Sequence, residues 1–512
     1  PRWSFWNSGI QNPSGFQFHS ELPYLLSTSI HSDKIQNVVE LRSNSIAQPN
    51  SLCGVIRIYS VILGDLMDNQ GCLRHAEMKI IWELESKDAP LCSCWIPSLS
   101  YSPLSPKKSS ENRAGFVYAT ANGSLMISVL KILDSSTKTQ TTIEISNTQD
   151  LFSDESPKLR PNEWISRLDS HTCRSTRSTS ETSKFLLAAG TSFGRIFMFS
   201  IGFNEEKCSL ELRDATVIQA HSSAILAVQF LLPIKGKPKG TKTFPKCGGG
   251  VFGASDCDCA IASSSFDTFV SIRNAHDLSA VESEAMFGPM VIPFCLSGWT
   301  GASSNYRVVT VGRDDGVLVP VKMEPRARVF SSGRNYFRPG GTGKPNPGVQ
   351  HMDGTEPLGL IHRVNGSVMS IGADGRAVVT DGWNDKSRPP WKSMTCVLQI
   401  RIESVCSESD QEDCREVTRI WTGDHADALK KCASDEVAYR IDPRTSLRFV
   451  AVSTFPKDSI ELTVILSQSG LAVMYSRSIA PSIPAKKSKS KNLIPSKRPR
   501  TGSKATTKSS KC

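Results

Sequence analysis

Residues 185–201 read FLLAAGTSFGRIFMFSI: an apolar run, a short turn ending in Gly194, then a second run alternating large apolar residues with others. Two strands joined in this way form a β-hairpin, because glycine reaches the positive φ that a tight turn needs and the alternation gives each strand two packing faces. The same grammar recurs in SLCGVIRIYSV (51–61), FVYATANGSLMISVLKI (116–132) and CAIASSSFDTFVSIRNAHD (259–277). It continues in YRVVTVGRDDGVLVPVKM (306–323), SVMSIGADGRAVVTDGW (367–383) and LTVILSQSGLAVMYSRS (462–478), making seven units. Their turns are expected at Gly54, Gly123, Gly194, Gly316, Gly375 and Gly470, with Asp267 taking that place in one copy. One small sheet cannot bury both of its faces. The units must therefore pack radially, and closing the ring protects the sheet edges.

The expectation is an all-β, seven-bladed β-propeller. Turn-to-turn spacings of about 50 to 95 residues exceed the ~40–45 usual for such repeats, so long inter-strand insertions are required. Candidates are residues 102–113, 172–184, 235–250, 324–351 and 403–435; the first two are Ser-rich, the third rich in Gly, Lys and Pro, the fourth in Gly, Arg and Pro. Residues 1–50 carry apolar patches at 16–18 and 24–26 but no clear hairpin turn, which leaves open how the ring closes.

In VIQAHSSAILAVQFL (residues 217–231) followed by AIASSSFDTFVSIRN (260–274), the chain resembles the WD-repeat family. That family places Gly-His before a first strand, Asp in a later turn and Trp-Asp at the end of the strand after it. Here Ala220-His221, Asp267 and Arg273-Asn274 occupy those places. The resemblance implies structural roles for His221 and Asp267 in a hydrogen-bond network within the blade, incomplete without the Trp.

Formal net charge is +11, and ten Lys or Arg with no Asp or Glu lie between residues 485 and 512. The remaining body is close to neutral. The chain thus divides into a propeller, residues 1–480, and a basic tail, 481–512, that is expected to be disordered. Within the tail, Lys497-Arg498-Pro499-Arg500 with Lys486-Lys487 upstream resembles a two-part nuclear import signal for the acidic groove of importin. The tail also suits non-specific contact with nucleic acid through counterion release.

Two further stretches attract attention. Arg326, Arg328, Arg334 and Arg338 interleave with Phe330, Tyr336 and Phe337, a mixture able to neutralise phosphates and stack bases. A segment packed on the propeller face is the plainer reading, as a solvated loop is for the five lysines of residues 235–246. Residues 403–416, with SESDQED at their centre, read as an acidic solvated loop suited to phosphorylation or a basic partner.

Other function classes find little footing. The apolar run at residues 224–234 is far shorter than the ~20 residues of a membrane helix, and PRWSFWNSGI has no signal-peptide pattern. Fifteen scattered cysteines read as reduced thiols, and Cys92/Cys94 and Cys257/Cys259 lack the Cys-x-x-Cys spacing of zinc sites, so no metal or cofactor is expected. Residues 340–344, GGTGK, look like a phosphate loop, but Pro345 stands where Ser or Thr would bind magnesium. The sequence contains no His-Glu-x-x-His, which lowers the expectation of an enzyme.

The order GVIRIYSV, HAEMKIIWELESKDAPLCSCWIPS, FVYATANGSLMISVL, FLLAAGTSFGRIFMFSI, VIQAHSSAILAVQFL is similar to the WD-repeat subunit of the RNA polymerase III transcription factor TFIIIC, chiefly over residues 116–280. That likeness implies a nuclear scaffold among other subunits of a promoter-recognition complex, with mainly indirect DNA contact. The alternative is a WD-repeat scaffold in ribosome or RNA biogenesis. An adaptor for a cullin-type ubiquitin ligase would need a Trp-Asp-x-Arg blade end, which is missing.

Overall fold

The structure is a computed structural model that describes residues 2–8, 10, 12–19, 22–31, 53–63, 76–96, 112–134, 141–152, 157–173, 184–204, 209–231, 259–287, 291–299, 307–323, 328–329, 356–363, 367–380, 394–407, 410–426, 442–455 and 460–478. After β1 (Arg2–Asn7), blade 1 comprises β2 (Pro13–Phe18), β3 (Tyr24–His31), β4 (Cys53–Leu63) and β5 (Ala76–Ser86). Blade 2 comprises β6 (Pro90–Ile96), β7 (Asn112–Thr120), β8 (Leu125–Asp134) and β9 (Thr141–Asp150). Blade 3 follows with β10 (Ile165–Cys173), β11 (Lys184–Thr191), β12 (Arg195–Asn204) and β13 (Ser209–Gln219). Blade 4 has β14 (Ile225–Leu231), β15 (Ala260–Ser265), β16 (Phe269–Asn274) and β17 (Val281–Met286). Blade 5 shows β18 (Pro293–Trp299), β19 (Arg307–Arg313) and β20 (Leu318–Met323); the chain then adds β21 (Arg328–Val329) in parallel to β17 of blade 4. Blade 6 is β22 (Pro357–His362), β23 (Val368–Gly372), β24 (Arg376–Thr380), β25 (Met394–Ser407) and β26 (Asp410–Thr422). Blade 7 is β27 (Leu447–Phe455), β28 (Ile460–Ser467) and β29 (Leu471–Ser478), completed on its outer side by β1. The seven first strands, β2, β6, β10, β14, β18, β22 and β27, contact one another in a closed circle around the axis. This is an all-β, seven-bladed propeller.

The N-terminal strand closes the ring. Arg2 pairs with Ser476 and Asn7 with Leu471, so β1 finishes the last blade as its outer strand immediately before the chain enters blade 1. Trp3 packs on Tyr475 at 4.7 Å and Trp6 meets Tyr59 of blade 1 at 5.3 Å, so two aromatic rings fasten the seam.

Between neighbouring blades lie continuous apolar cores. Leu26 and Ile58 of blade 1 share a core with Phe116 and Leu130 of blade 2, and Val117 and Ile127 of blade 2 share the next with Phe197 and Phe199 of blade 3. Leu462 and Met474 of blade 7 pack with Phe16 and Leu25 of blade 1. Strand alternation explains this: successive side chains point to opposite faces, so each sheet presents one apolar set to the blade before it and one to the blade after.

Two features repeat in all seven blades. The first strand carries a bulge between its first and third residues, from Pro13/Gly15 to Leu447/Phe449. An amide at the end of the second strand donates to the carbonyl just before the first: Ile30 to Asn12, Ala121 to Ala89, Ser192 to Trp164, Phe266 to Ala224, Asp314 to Ile292, Ala373 to Glu356 and Gln468 to Ser446. These bonds bring the turn between second and third strands to the same end of every blade as the start of its first strand.

The turns depart from expectation in two places. Gly123, Gly194, Gly316, Gly375 and Gly470 all have positive φ, from +71° to +92°. Gly54 instead lies within β4, where a Cβ would collide with the carbonyl of Ser29 and the ring of Pro90; it is there for close approach, and the first unit is one strand rather than a hairpin. In the Asp267 turn the positive φ, 71°, belongs to Thr268. One insertion is also corrected. Residues 403–407 and 410–422 do not form a solvated loop but belong to the paired strands β25 and β26, whose register runs from Leu398↔Thr422 to Ser407↔Asp410.

Candidate functional site

His221 sits in the connector between blades 3 and 4, and its imidazole is held on both nitrogens. Nδ1 lies 3.1 and 3.2 Å from the two carboxylate oxygens of Asp267, and Nε2 lies 2.8 Å from Oγ of Ser263. Burial by itself would raise the Asp267 carboxyl, but the hydrogen bond from His221 and the amides of Phe269 and Ser222 outweigh it and hold the group below its usual range. The ionised carboxylate favours the tautomer with hydrogen on Nδ1, so that Nε2 accepts from the Ser263 hydroxyl. Serine, histidine and aspartate in this order have the outline of a nucleophile and its base. Ser263, however, is 1% exposed, on a strand paired on both sides, where a substrate carbonyl has no approach. The set ties the connector to the turn and to the strand beneath it. Arg273, where WD repeats place Trp, donates to the carbonyls of Leu278 and Ala220, anchoring the residue next to His221 by another route.

A second set of polar side chains surrounds the axis, and none of it belongs to the hairpin units. Two residues past each bulge, Gln17 accepts from the Trp95 amide at 2.9 Å, Asp169 from Phe230 at 2.6 Å, and Gln229 from Gly298 at 2.8 Å. Ser297 does the same for the amide of His362 at 3.1 Å. At the bulges themselves, Ser14 donates to the carbonyl of Pro90, Ser166 to Ile225 at 2.7 Å and Cys295 to Pro357 at 3.2 Å. Four of the seven inner strands, β2, β10, β14 and β18, are thereby bonded to their successors although no sheet joins them. Burial pushes the Asp169 carboxyl up to about 7, against the opposing pull of the Phe230 and Ser170 amides. Burial likewise lowers His362 to about 3, leaving it neutral between Ser297 and Thr310.

Between blades 6 and 7, Glu461 is fully buried and receives Arg363 Nε at 2.7 Å and Arg477 Nε at 2.7 Å. Arg363 also lies over the ring of Tyr475, 5.1 Å from its centroid.

The turn-bearing end of blades 3 and 4 exposes two large rings, Phe193 at 39% and Phe266 at 46%. The short connector 220–224 joins their turns: the amides of Ala220 and His221 donate to Gly194, Ser265 Oγ donates to Ser223, and Phe266 donates to Ala224. Gly194 is required twice, by its φ of +79° and by the carbonyls of His221 and Ser223 that a Cβ would strike.

The structure brings His221 and Asp267 together. The import motif at Lys486, Lys487, Lys497, Arg498, Pro499 and Arg500 lies outside the described residues, as do Arg326, Phe330, Arg334, Tyr336, Phe337 and Arg338. Arg328 is described in its backbone alone, paired with Glu284. Among the described residues no group of three or more His, Cys, Asp or Glu is placed to hold a metal ion, and no helix is long and apolar enough to cross a membrane. Cys53, Cys92, Cys94, Cys295 and Cys396 form no disulfide, whereas Cys259 is disulfide-bonded, against the expectation of reduced thiols throughout.

No protein-family model matches the chain, and no curated protein matches it. Among solved structures it is similar to Sqt1 of Saccharomyces cerevisiae, with 9% identity over 92% of this chain and 97% of that one and a TM-score of 0.42. It is also similar to Chaetomium thermophilum Sqt1 bound to the N-terminus of ribosomal protein L10, with 10% identity over 92% of this chain and 98% of that one and a TM-score of 0.45. At these identities the likeness is one of architecture, and the binding of L10 is a property of Sqt1.

Proposed function

We propose that the chain is a non-catalytic scaffold that docks other protein chains on its turn-bearing face within a nuclear assembly. The observation that carries this reading is the pair Phe193 and Phe266, large apolar side chains exposed on neighbouring turns. Exposed aromatic rings on a rigid support are the usual anchors of protein interfaces, and the connector between these turns is pinned by the bonds of His221, Ser223 and Ala224. The serine-histidine-aspartate set is spent inside the blade, which supports a binding rather than a catalytic role.

The nuclear setting is read from the basic tail, with importin as the carrier and nucleic acid as a secondary contact. Ribosome or RNA assembly is the preferred setting, since a one-signed tail beside a nearly neutral body suits surroundings rich in phosphate. A polymerase III promoter complex of the TFIIIC kind rests on the resemblance over residues 116–280, which neither a family model nor a curated protein reinforces.

Affinity purification from nuclear extract with mass spectrometry, using the wild type and the double variant Phe193→Ser/Phe266→Ser, tests the proposal. The wild type is expected to recover ribosomal proteins or pre-ribosomal RNA, and the double variant to lose its protein partners with its melting temperature unchanged. Recovery of polymerase III subunits assigns the TFIIIC setting instead. Undiminished capture by the variant overturns the docking face, and cytoplasmic partners alone overturn the nuclear setting.

A further inference from the structure

Arg167 is the third residue of β10, immediately past the bulge, on the inner wall of the propeller. Its counterparts in the other blades are Gly15, Cys92, Ala227, Cys295, Gly359 and Phe449, all of them uncharged. Nη1 donates to the carbonyl of Ser166, the preceding residue, at 2.9 Å. No carboxylate among the described residues pairs with the guanidinium. The titratable groups that interact with it are two thiols, Cys92 of blade 2 and Cys295 of blade 5. Desolvation lowers its pKa from the ordinary value, while the side chain is half-buried and keeps part of its surface open to solvent. The other inner-wall arginine near this level, Arg448 of blade 7, is already engaged: its Nε donates to Gln468 at 2.6 Å and Glu356 acts on it as a counter-charge.

A half-buried charge with no carboxylate partner among the described residues keeps a desolvation cost that a neutral residue of similar size avoids. A guanidinium with most of its five donors unused has the planar fork that matches a carboxylate or a phosphate. We propose that Arg167 is the anchor of an oxyanion site at the turn-bearing mouth of the central channel, taking the carboxylate or phosphate of a ligand that enters along the axis. Phe193 and Phe266 take no part in it, so this site and the docking face stand or fall separately.

The test is thermal unfolding of the full chain at constant ionic strength in chloride, with inorganic phosphate or a hexaglutamate peptide added, for the wild type, Arg167→Gln and Arg167→Lys. The wild type is expected to show a saturable rise in melting temperature of a few degrees with at least one probe. Arg167→Gln is expected to be at least as stable as the wild type without anion and to lose the response, and Arg167→Lys to keep a weaker one. A response to hexaglutamate that exceeds the response to phosphate identifies the source as an acidic protein segment; the reverse order identifies a free anion. A response unchanged in Arg167→Gln overturns the site. So does a wild type that responds to neither probe while Arg167→Gln is less stable, because the residue then serves only its bond to Ser166.

Discussion

The carboxylate of Asp169 in blade 3 accepts the backbone amide of Phe230 in blade 4 at 2.6 Å, a place where Gln17 and Gln229 offer neutral amides to the blades that follow them. The chain thus uses a titratable group for a task that a neutral one performs elsewhere in the same ring. Enclosed by the inner strands, this carboxyl titrates near 7 rather than near its unfolded value of about 4. The folded state holds the proton more tightly than the unfolded chain. The contribution of Asp169 is therefore greatest in acid and declines as pH rises from about 4 to 7. Asp169→Asn keeps the acceptor and removes the titration. The variant is expected to exceed the wild type in stability above pH 7 by ~1–3 kcal/mol and to match it near pH 4. Urea unfolding at pH 4.5 and pH 8 measures both, and an unchanged pH slope in the variant would place the effect in another group.

Glu461 is buried between Arg363 and Arg477, and removing it strands two guanidiniums in the seam of blades 6 and 7. Glu461→Ala is expected to cost ~3–5 kcal/mol, the usual cost of breaking a buried ion pair from one side. Replacing the triad together by Met, Leu and Met is expected to recover much of that loss. Chemical denaturation of both variants checks the pair of expectations.

For Asp267 the direction of pH dependence is opposite to that of Asp169. Its carboxyl is held below the usual range, so its contribution is complete above the unfolded value of about 4 and is lost as pH falls further through the folded value. Asp267→Ala is expected to cost ~1–3 kcal/mol and to raise amide exchange in the connector 220–224 and the turn of Phe266, with the outer blades unaffected. Protection lost uniformly around the ring would contradict a local role.

The seam formed by β1 carries a further expectation. Deleting residues 1–8 uncovers the edge of β29 and removes the bond from Ser8 Oγ to the Gly470 carbonyl. An opened edge of alternating apolar residues pairs with other chains. The truncated protein is expected to melt several degrees lower and to form oligomers in size-exclusion chromatography, while Phe5→Ser, at a ring already 47% exposed, leaves both properties unchanged.

The hairpins around Gly194, Gly316, Gly375 and Gly470 were legible because their signal is local: two alternating runs and one residue able to adopt positive φ. Gly54 misled for the same reason, since a glycine placed for contact with Ser29 and Pro90 looks no different in sequence from a glycine placed for a turn. Likewise β25 and β26 read as a loop, because charged residues such as Glu403 and Glu416 are compatible with a solvent-facing ribbon as well as with no structure. His221 and Asp267 were singled out because a family pattern names both positions.

The sequence by itself determined the repeating hairpin, the number of blades and the gathering of charge in the last residues, all of which depend on neighbours along the chain. Only the tertiary structure decided that β1 completes the seventh blade, that Asp169 reaches Phe230, that Ser263 is too deep to react and that Arg167 has no counter-charge among the described residues. The physical reason is separation. Ser8 and Gly470 lie 462 residues apart, and a contact across that distance is selected by the closure of the ring, leaving no periodicity in the chain on either side.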